Sequence, residues 1–249
     1  MIFARTLMMA AFAALIALLA YTVQSGDWTW FIVSIIYYKL VVGLLGNQIA
    51  QHRYFSHQGF TTGQRRKYLL YFLSLTTGVN PRDYALIHRH HHVYSDQPGD
   101  LHSVHNHWRD ILFPLTGKTS NTLPVKISRV LDKDLQKLYA WHARTIMAVI
   151  LIAAMISWKF AVFVLLSGIA WNYLHMILFR VCLVHIKLPG SYQTFDTGDR
   201  SWNNPYLQIL DIGEGLHNNH HQYPNRYDQA VLPGEFDPAG WIVKKFFKN

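Results

Sequence analysis

Fifteen histidines stand among 249 residues, and nine of them, eight at ligand-like spacings beside His90, fall in three short clusters. The densest lies in Asn80–Asp100, N-P-R-D-Y-A-L-I-H-R-H-H-H-V-Y-S-D-Q-P-G-D. It opens as a helix does, with Asn80 as a cap, Pro81 at the first helical position and Asp83 in the first turn, where the dipole favours an acid. His88, His91 and His92 then fall at i, i+3 and i+4, so three imidazoles leave one face of that helix. Neutral imidazole is the commonest metal ligand and suits iron, zinc, copper and nickel. A solvated His-rich stretch or an expression tag would have the same composition. A tag, however, sits at a terminus and not inside a capped helix.

The spacing recurs. Leu216–His221, L-H-N-N-H-H, repeats it with His217, His220 and His221, and H-R-Y-F-S-H places His52 and His57 five apart. Five residues are about 140° on an ideal α-helix. Those two can therefore serve one site only at a helix end, or else by facing different metals. Eight imidazoles exceed the positions of one octahedral ion, so two metals are expected. Cys182 is the single cysteine, which excludes an internal disulfide and argues against thiolate-bound zinc or an iron–sulfur cluster. An imidazole-rich, thiol-poor donor set favours iron for oxygen chemistry, although ligand softness alone leaves copper, zinc and manganese open.

The elements that must carry these clusters are apolar. Hydrophobic residues make up 51% of the chain and charged ones 15%, against about a quarter charged in soluble domains. Phe3–Val23 is long enough to span a bilayer, with Arg5 and Thr6 near its start. A cleaved signal peptide is the rival reading, but no convincing small-residue cleavage site follows. After the turn Ser25-Gly26-Asp27, Trp28–Leu45 forms a second span with Lys39 as a charge to be buried or paired. Gln64-Arg65-Arg66-Lys67 is a basic knot, and Tyr68–Val79 is too short to cross and reads as interfacial. Lys126–Tyr139 is amphipathic, with Ile127, Val130, Leu131, Leu135 and Leu138 opposed by Arg129, Asp132, Lys133 and Lys137. It is expected along the membrane surface. Thr145–Trp158 and Ala161–Val184 form a second apolar pair.

The expected fold is all-α and integral to the membrane, one domain over 1–249. Four transmembrane helices at 3–23, 28–45, 145–158 and 161–184 would form two hairpins, and 46–144 with 186–249 a helical cap. Lys and Arg number thirteen over Gly46–Arg144 and six after His185, against none in Gln24–Asp27 and one near Lys159. The positive-inside rule then places both termini and all three clusters on the cytoplasmic side, where a shared metal site requires them. The net charge of +9 lies beside apolar spans and no nucleic-acid motif is present, so anionic lipid headgroups are its expected counter-charge and nucleic acid is not a partner. Metal at the membrane face implies a water-insoluble substrate entering from the bilayer. An iron pair that activates dioxygen can take hydrogen from an unactivated methylene, which side-chain acids and bases cannot do.

In this order, H-R-Y-F-S-H, H-R-H-H-H and G-E-G-L-H-N-N-H-H, flanked by paired spans, resemble the integral-membrane fatty acyl desaturases, specifically the stearoyl-CoA (delta-9) type. The similarity also takes in D-L-H at 100–102 and V-L-D-K-D-L-Q-K-L-Y before the third span, covering most of the chain after Gly46. The resemblance implies four spanning helices under a cytosolic cap that carries a polyhistidine, non-haem di-iron centre. It implies insertion of a cis double bond into a saturated acyl chain with dioxygen and two electrons. Its ligands carry over to His52, His57, His88, His91, His92, His217, His220 and His221. A ninth, late in the fourth span, matches His185. The family places an asparagine four residues before that histidine, and here Val181 stands there. Asn172 with His175 is a looser alternative pair, and His185 is the preferred one.

Glu214, just before the His217 helix, is expected to orient ligands from behind, while the resemblance makes Tyr84 the counterpart of a tryptophan beside the acyl tunnel and His102 a residue near the cap. His90 is expected in a solvated or supporting role, His105 and His107 not as ligands, and His142 at the membrane interface. The chain carries no fused haem-binding donor domain, so a separate ferredoxin or cytochrome is expected to bring electrons to basic residues of the cap. The substrate would be an acyl-CoA or acyl-lipid. A lipid or alkane hydroxylase would use the same ligands. A metal transporter or sensor would instead place histidines along the spans, and His175 is the exception that keeps this reading open.

Overall fold

The structure, a computed structural model, describes residues 2–100, 102–103, 136–211 and 213–249. Among these, every regular element is helical, and pairing of extended chain is limited to isolated bridges at Tyr192, Asn203 and Leu216. Four helices are long and apolar enough to cross a membrane: Phe3–Ser25, Thr29–Ser56, Tyr139–Ile156 and Phe160–His185. We label the helices that contain them α1 (Ile2–Ser25), α2 (Thr29–Ser56), α5 (Gln136–Ile156) and α6 (Phe160–His185). Between them lie α3 (Gln64–Leu75) and α4 (Pro81–Tyr94); after them come α7 (Pro205–Asp211), α8 (His217–Gln222) and α9 (Pro238–Ile242), the last continued by a π-helical turn, Val243–Phe247.

Two of the long helices differ in their bounds from the sequence expectation. The second crossing helix does not stop at Leu45 but runs to Ser56, and the third begins at Tyr139 instead of Thr145 and ends at Ile156. Polarity misleads in the first case: Asn47, Gln48, Gln51 and His52 look too polar to continue a span, yet they are fully buried inside the protein, where helix satisfies their backbone. Of the amphipathic Lys126–Tyr139 segment, residues 126–135 lie outside the described residues, as do His105 and His107. The part from Gln136 belongs to α5.

Helix packing follows the apolar pattern. On α1, Leu7, Ala11, Leu15 and Leu18 are buried, while Met9, Ile16 and Val23 are mostly exposed, a one-sided stripe at helical spacing. The buried side meets α6 through Phe12–Tyr173 and Tyr21–Phe163 ring contacts at 6.5 and 5.2 Å. A Cβ on Gly168 would come within 2.8 Å of the Tyr37 ring, so α2 and α6 cross closely there. At one end of the bundle, Lys159 donates to the Tyr21 hydroxyl (3.1 Å), which in turn donates to Asp27 (3.4 Å). The α1–α2 and α5–α6 connections therefore lie together, and the histidines gather at the opposite end. Lys39 is paired: its ammonium donates to the Leu210 carbonyl at 2.6 Å and lies over the Tyr38 and Phe179 rings.

α3 runs antiparallel beside the upper part of α2, where a Cβ on Gly46 would strike the Leu73 carbonyl and the Thr76 hydroxyl, both at 2.6 Å. α4 begins at the cap the sequence supplies, with Asn80 Oδ1 accepting from the Arg82 N–H at 3.0 Å. Arg53, 1% exposed, fastens α2 to the C-terminal part by donating to Asp237 (2.6 and 3.1 Å) and to the Tyr227 and Gly213 carbonyls (2.5 and 2.8 Å).

Candidate metal centre

Three helices and the end of a fourth bring nine histidines together in two groups. His52, His57, His88, His92 and His220 form one, and His91, His185, His217 and His221 the other; within each group the ligand atoms lie within 4.8 Å of one another. All are buried or nearly so. α4 splits its three between the groups, because i and i+4 share one side and i+3 leans to the other. α8 does the same, with His220 to the first group and His217 and His221 to the second.

The five-residue spacing of His52 and His57 is resolved by an unusual backbone. α2 is α-helical over Thr29–Tyr37 and π-helical over Tyr38–Ser56. The i→i+5 bonding of a π-helix stacks residues five apart. The N–H of His57 donates to the His52 carbonyl at 3.2 Å, and the two rings sit 5.0 Å apart. Both therefore face one group, with His57 at the C-terminal cap of the helix.

Carboxylates set the protonation. In the four-histidine group every Nδ1 faces an acid: His91 Asp100 at 2.9 Å, His185 Asp96 at 2.9 Å, His221 Asp199 at 2.6 Å and His217 Glu214 at 3.4 Å. A hydrogen on Nδ1 leaves the lone pair on Nε2. The Nε2 atoms of His185 and His221 each lie 3.0 Å from that of His217, so bare lone pairs converge on one point. A cation there removes their repulsion. In the five-histidine group the Nε2 of His220 is 2.9 Å from those of His52 and His92. His57 Nε2 and His91 Nε2, one in each group, are buried with no hydrogen-bond partner. These residues fit metal ions, by donor chemistry and by orphaned nitrogen alike.

Burial, then repulsion among the imidazoles, holds His57, His88, His92, His217 and His220 well below the ordinary histidine value, and burial takes His221 to about 4. They are neutral at physiological pH, as ligands must be. For Asp96 burial acts upward but the hydrogen bond and charge of His185 outweigh it, bringing the carboxyl to about 2. Glu214 is held well below its usual range chiefly by His52, against its complete burial. It is the one acid among the described residues that touches both groups, through His52 Nδ1 (2.5 Å) and His217 Nδ1 (3.4 Å).

The other expected residues fall around the groups. Tyr84 stacks on His88 at 5.6 Å, and burial pushes its hydroxyl up to about 12. His102 is buried with its ring 5.4 Å from His91 but belongs to neither group. His90 packs on Tyr94 instead, and His142 is buried near the start of α5. The alternative pair is otherwise engaged. Asn172 bonds to Asn47 and the Thr77 carbonyl, and His175 pairs with Asp211. Val181 is buried and supplies no donor.

Sequence reasoning missed Asp96, Asp100 and Asp199. Asp96 (φ 58°) and Asp100 close the turn after α4, where Asp100 also accepts from the Asp96 and His102 N–H groups. For Asp100, an acid shortly after the histidine cluster it serves was the available signal. Asn218 and Asn219 turn away from the metal face: Asn218 accepts from the Thr194 and Phe195 N–H groups, and Asn219 bonds to Asn203, Gln229 and Glu235. They hold α8 by its back.

The fatty acid desaturase family matches residues 28–231 of this chain, and the chain belongs to that family. It is 30% identical to the sn-1 stearoyl-lipid 9-desaturase of Anabaena variabilis, over 85% of this chain and 79% of that protein. It is 26% identical to the icosanoyl-CoA 5-desaturase of Limnanthes douglasii, over 88% of this chain, and 27% identical to the hex-5-enoyl-[acyl-carrier protein] acetylenase of Moorena producens, over 79%. The match takes in 63% of the Limnanthes protein and 69% of the Moorena one. These relatives differ in acyl carrier and in bond position, so the similarity reaches the family and is broader than the stearoyl-CoA type.

Proposed function

We propose that the protein is a membrane acyl desaturase that uses a non-haem di-iron centre and dioxygen to place a cis double bond, at the delta-9 position, in a saturated fatty acyl chain. The observation that carries this reading is the pair of imidazole groups sharing Glu214. His52, His57, His88, His92 and His220 would hold one iron, and His91, His185, His217 and His221 the other. When bound, iron would activate dioxygen, the oxidant that takes hydrogen from adjacent methylenes.

The chain's own residues do the rest. Asp96, Asp100, Asp199 and Glu214 fix the imidazole tautomers, and burial excludes water that would intercept an oxidant. On the membrane side an apolar cavity of about 180 Å³, lined by residues that include Tyr37, Phe72, Leu75, Ile146, Ile150 and Ile169, suits a hydrocarbon tail. The crossing helices form two hairpins with the centre in a cytosolic cap, as the Lys/Arg asymmetry favours. The substrate is an acyl-CoA or acyl-lipid, and a separate ferredoxin or cytochrome supplies two electrons.

The test is the fatty-acid profile of cells making the protein beside a His91→Ala control, with double bonds located by mass spectrometry. A new monounsaturated chain absent from the control is expected. A hydroxylated chain would move the reading to an oxygenase, and metal-dependent transport without lipid product to a transporter.

A further inference from the structure

Away from the metal groups, two segments distant in sequence build one basic and aromatic surface. The Asn249 N–H donates to the Thr61 carbonyl (3.2 Å), the Thr62 hydroxyl to the Phe247 carbonyl (2.6 Å), and Arg66 to Asn249 Oδ1 (3.2 Å). The start of α3 is thereby laid beside the turn that follows α9. Together they bring the basic run Arg65–Lys67 and the lysines Lys244, Lys245 and Lys248 into neighbouring segments, and neither Thr61–Leu75 nor Ala239–Asn249 contains an acid.

The same surface is apolar. The α9 segment buries Ala239, Val243 and Phe247 and leaves Trp241 49% and Phe246 53% exposed, with Lys245 over both rings at 4.9 and 5.3 Å. α3 exposes Phe72 and Leu69 by 53% and 49%. A water-facing surface has no reason to carry these rings. A bilayer edge does, because aromatic residues lie at headgroup level and lysines reach past them to phosphates.

The level is right as well. About 20 helical residues cross the hydrocarbon, which from Thr29 leads to the neighbourhood of Gln48. Gly46 abuts Leu73 and Thr76, so antiparallel α3 passes Phe72 and Leu69 near that boundary and brings Arg65–Lys67 a few turns above it. We propose that this surface is a docking site for anionic phospholipid headgroups, with Phe72 and Leu69 among the first acyl carbons, Trp241 and Phe246 at headgroup level and the basic residues of both segments on the phosphates. It would seat the metal-bearing part against the membrane. The proposal rests on reading the four long helices as membrane-crossing and not on the reaction.

The experiment places the whole protein in nanodiscs of phosphatidylcholine, with or without phosphatidylglycerol, using lipids brominated near the headgroup end of the chain. Tryptophan emission is compared with that of Trp241→Phe. The share lost in that variant should be quenched, more strongly with phosphatidylglycerol and less so in high salt. Lys244→Gln, Lys245→Gln and Lys248→Gln together should abolish the phosphatidylglycerol and salt dependence while iron content stays at the parent level. An unquenched Trp241 share in both lipids would overturn the proposal. So would binding of an acidic redox protein that depends on the three lysines while quenching does not. No readout involves turnover, so the outcome is separate from that of the desaturase test.

Discussion

Glu214 and Asp199 differ in reach, and that difference can be measured. Glu214 stands behind a histidine of each group, whereas Asp199 stands behind His221 alone. Loss of such a partner typically weakens metal binding by about 10- to 100-fold. Glu214→Gln should therefore lower retention at both positions after dialysis and Asp199→Asn at one, read as iron per chain. Acid has a signed effect on the metal-free protein. Burial holds His221 at about 4 and His102, next to His91, at about 3. As pH falls below the free-histidine value of about 6.5 the unfolded chain takes up protons that the folded chain refuses, so stability drops by about 1.4 kcal/mol per pH unit for each proton. Thermal melts of chelator-treated protein should fall progressively from pH 6.5 toward 4 and be flat above 7.

At the scale of elements, helix starts and repeating histidine spacings were legible because they depend on local chemistry. The cap at Asn80 and the i, i+3, i+4 patterns needed nothing from elsewhere in the chain. The register of α2 was not legible. An α-helical reading splits His52 from His57, and only the π-helical backbone over Tyr38–Ser56 puts them on one face. Asp96 and Asp199 were equally hidden, since their histidines stand 89 and 22 residues away and only tertiary packing joins them. Gly215 shows how tightly two elements are set: a Cβ there would fall far inside contact with the Gln208 backbone of α7. Gly215→Ala should force α7 away from α8 at a cost of about 1–3 kcal/mol or more, seen as a lowered melting temperature together with reduced metal content.

Across the whole molecule, the apolar lengths announced four helices long enough to cross a membrane, while the clamp that unites its parts lay in one unremarked residue. Arg53 and Asp237 are buried partners from opposite ends of the chain. Arg53→Ala leaves a buried carboxylate without its cation, a loss of about 3–5 kcal/mol. The double variant Arg53→Met with Asp237→Leu should recover part of it, since two apolar groups replace the pair. Melting temperatures of the single and double variants check this, and equal loss in both would deny the pairing.

That clamp also dates the site within the life of the chain. His52 and Arg53 leave the ribosome early, yet each metal group needs a histidine from 217–221, and Arg53 meets its counter-charge only when residue 237 has been made. Neither group can be complete while the nascent protein is still being threaded into the bilayer, and loading with metal becomes a step that follows insertion.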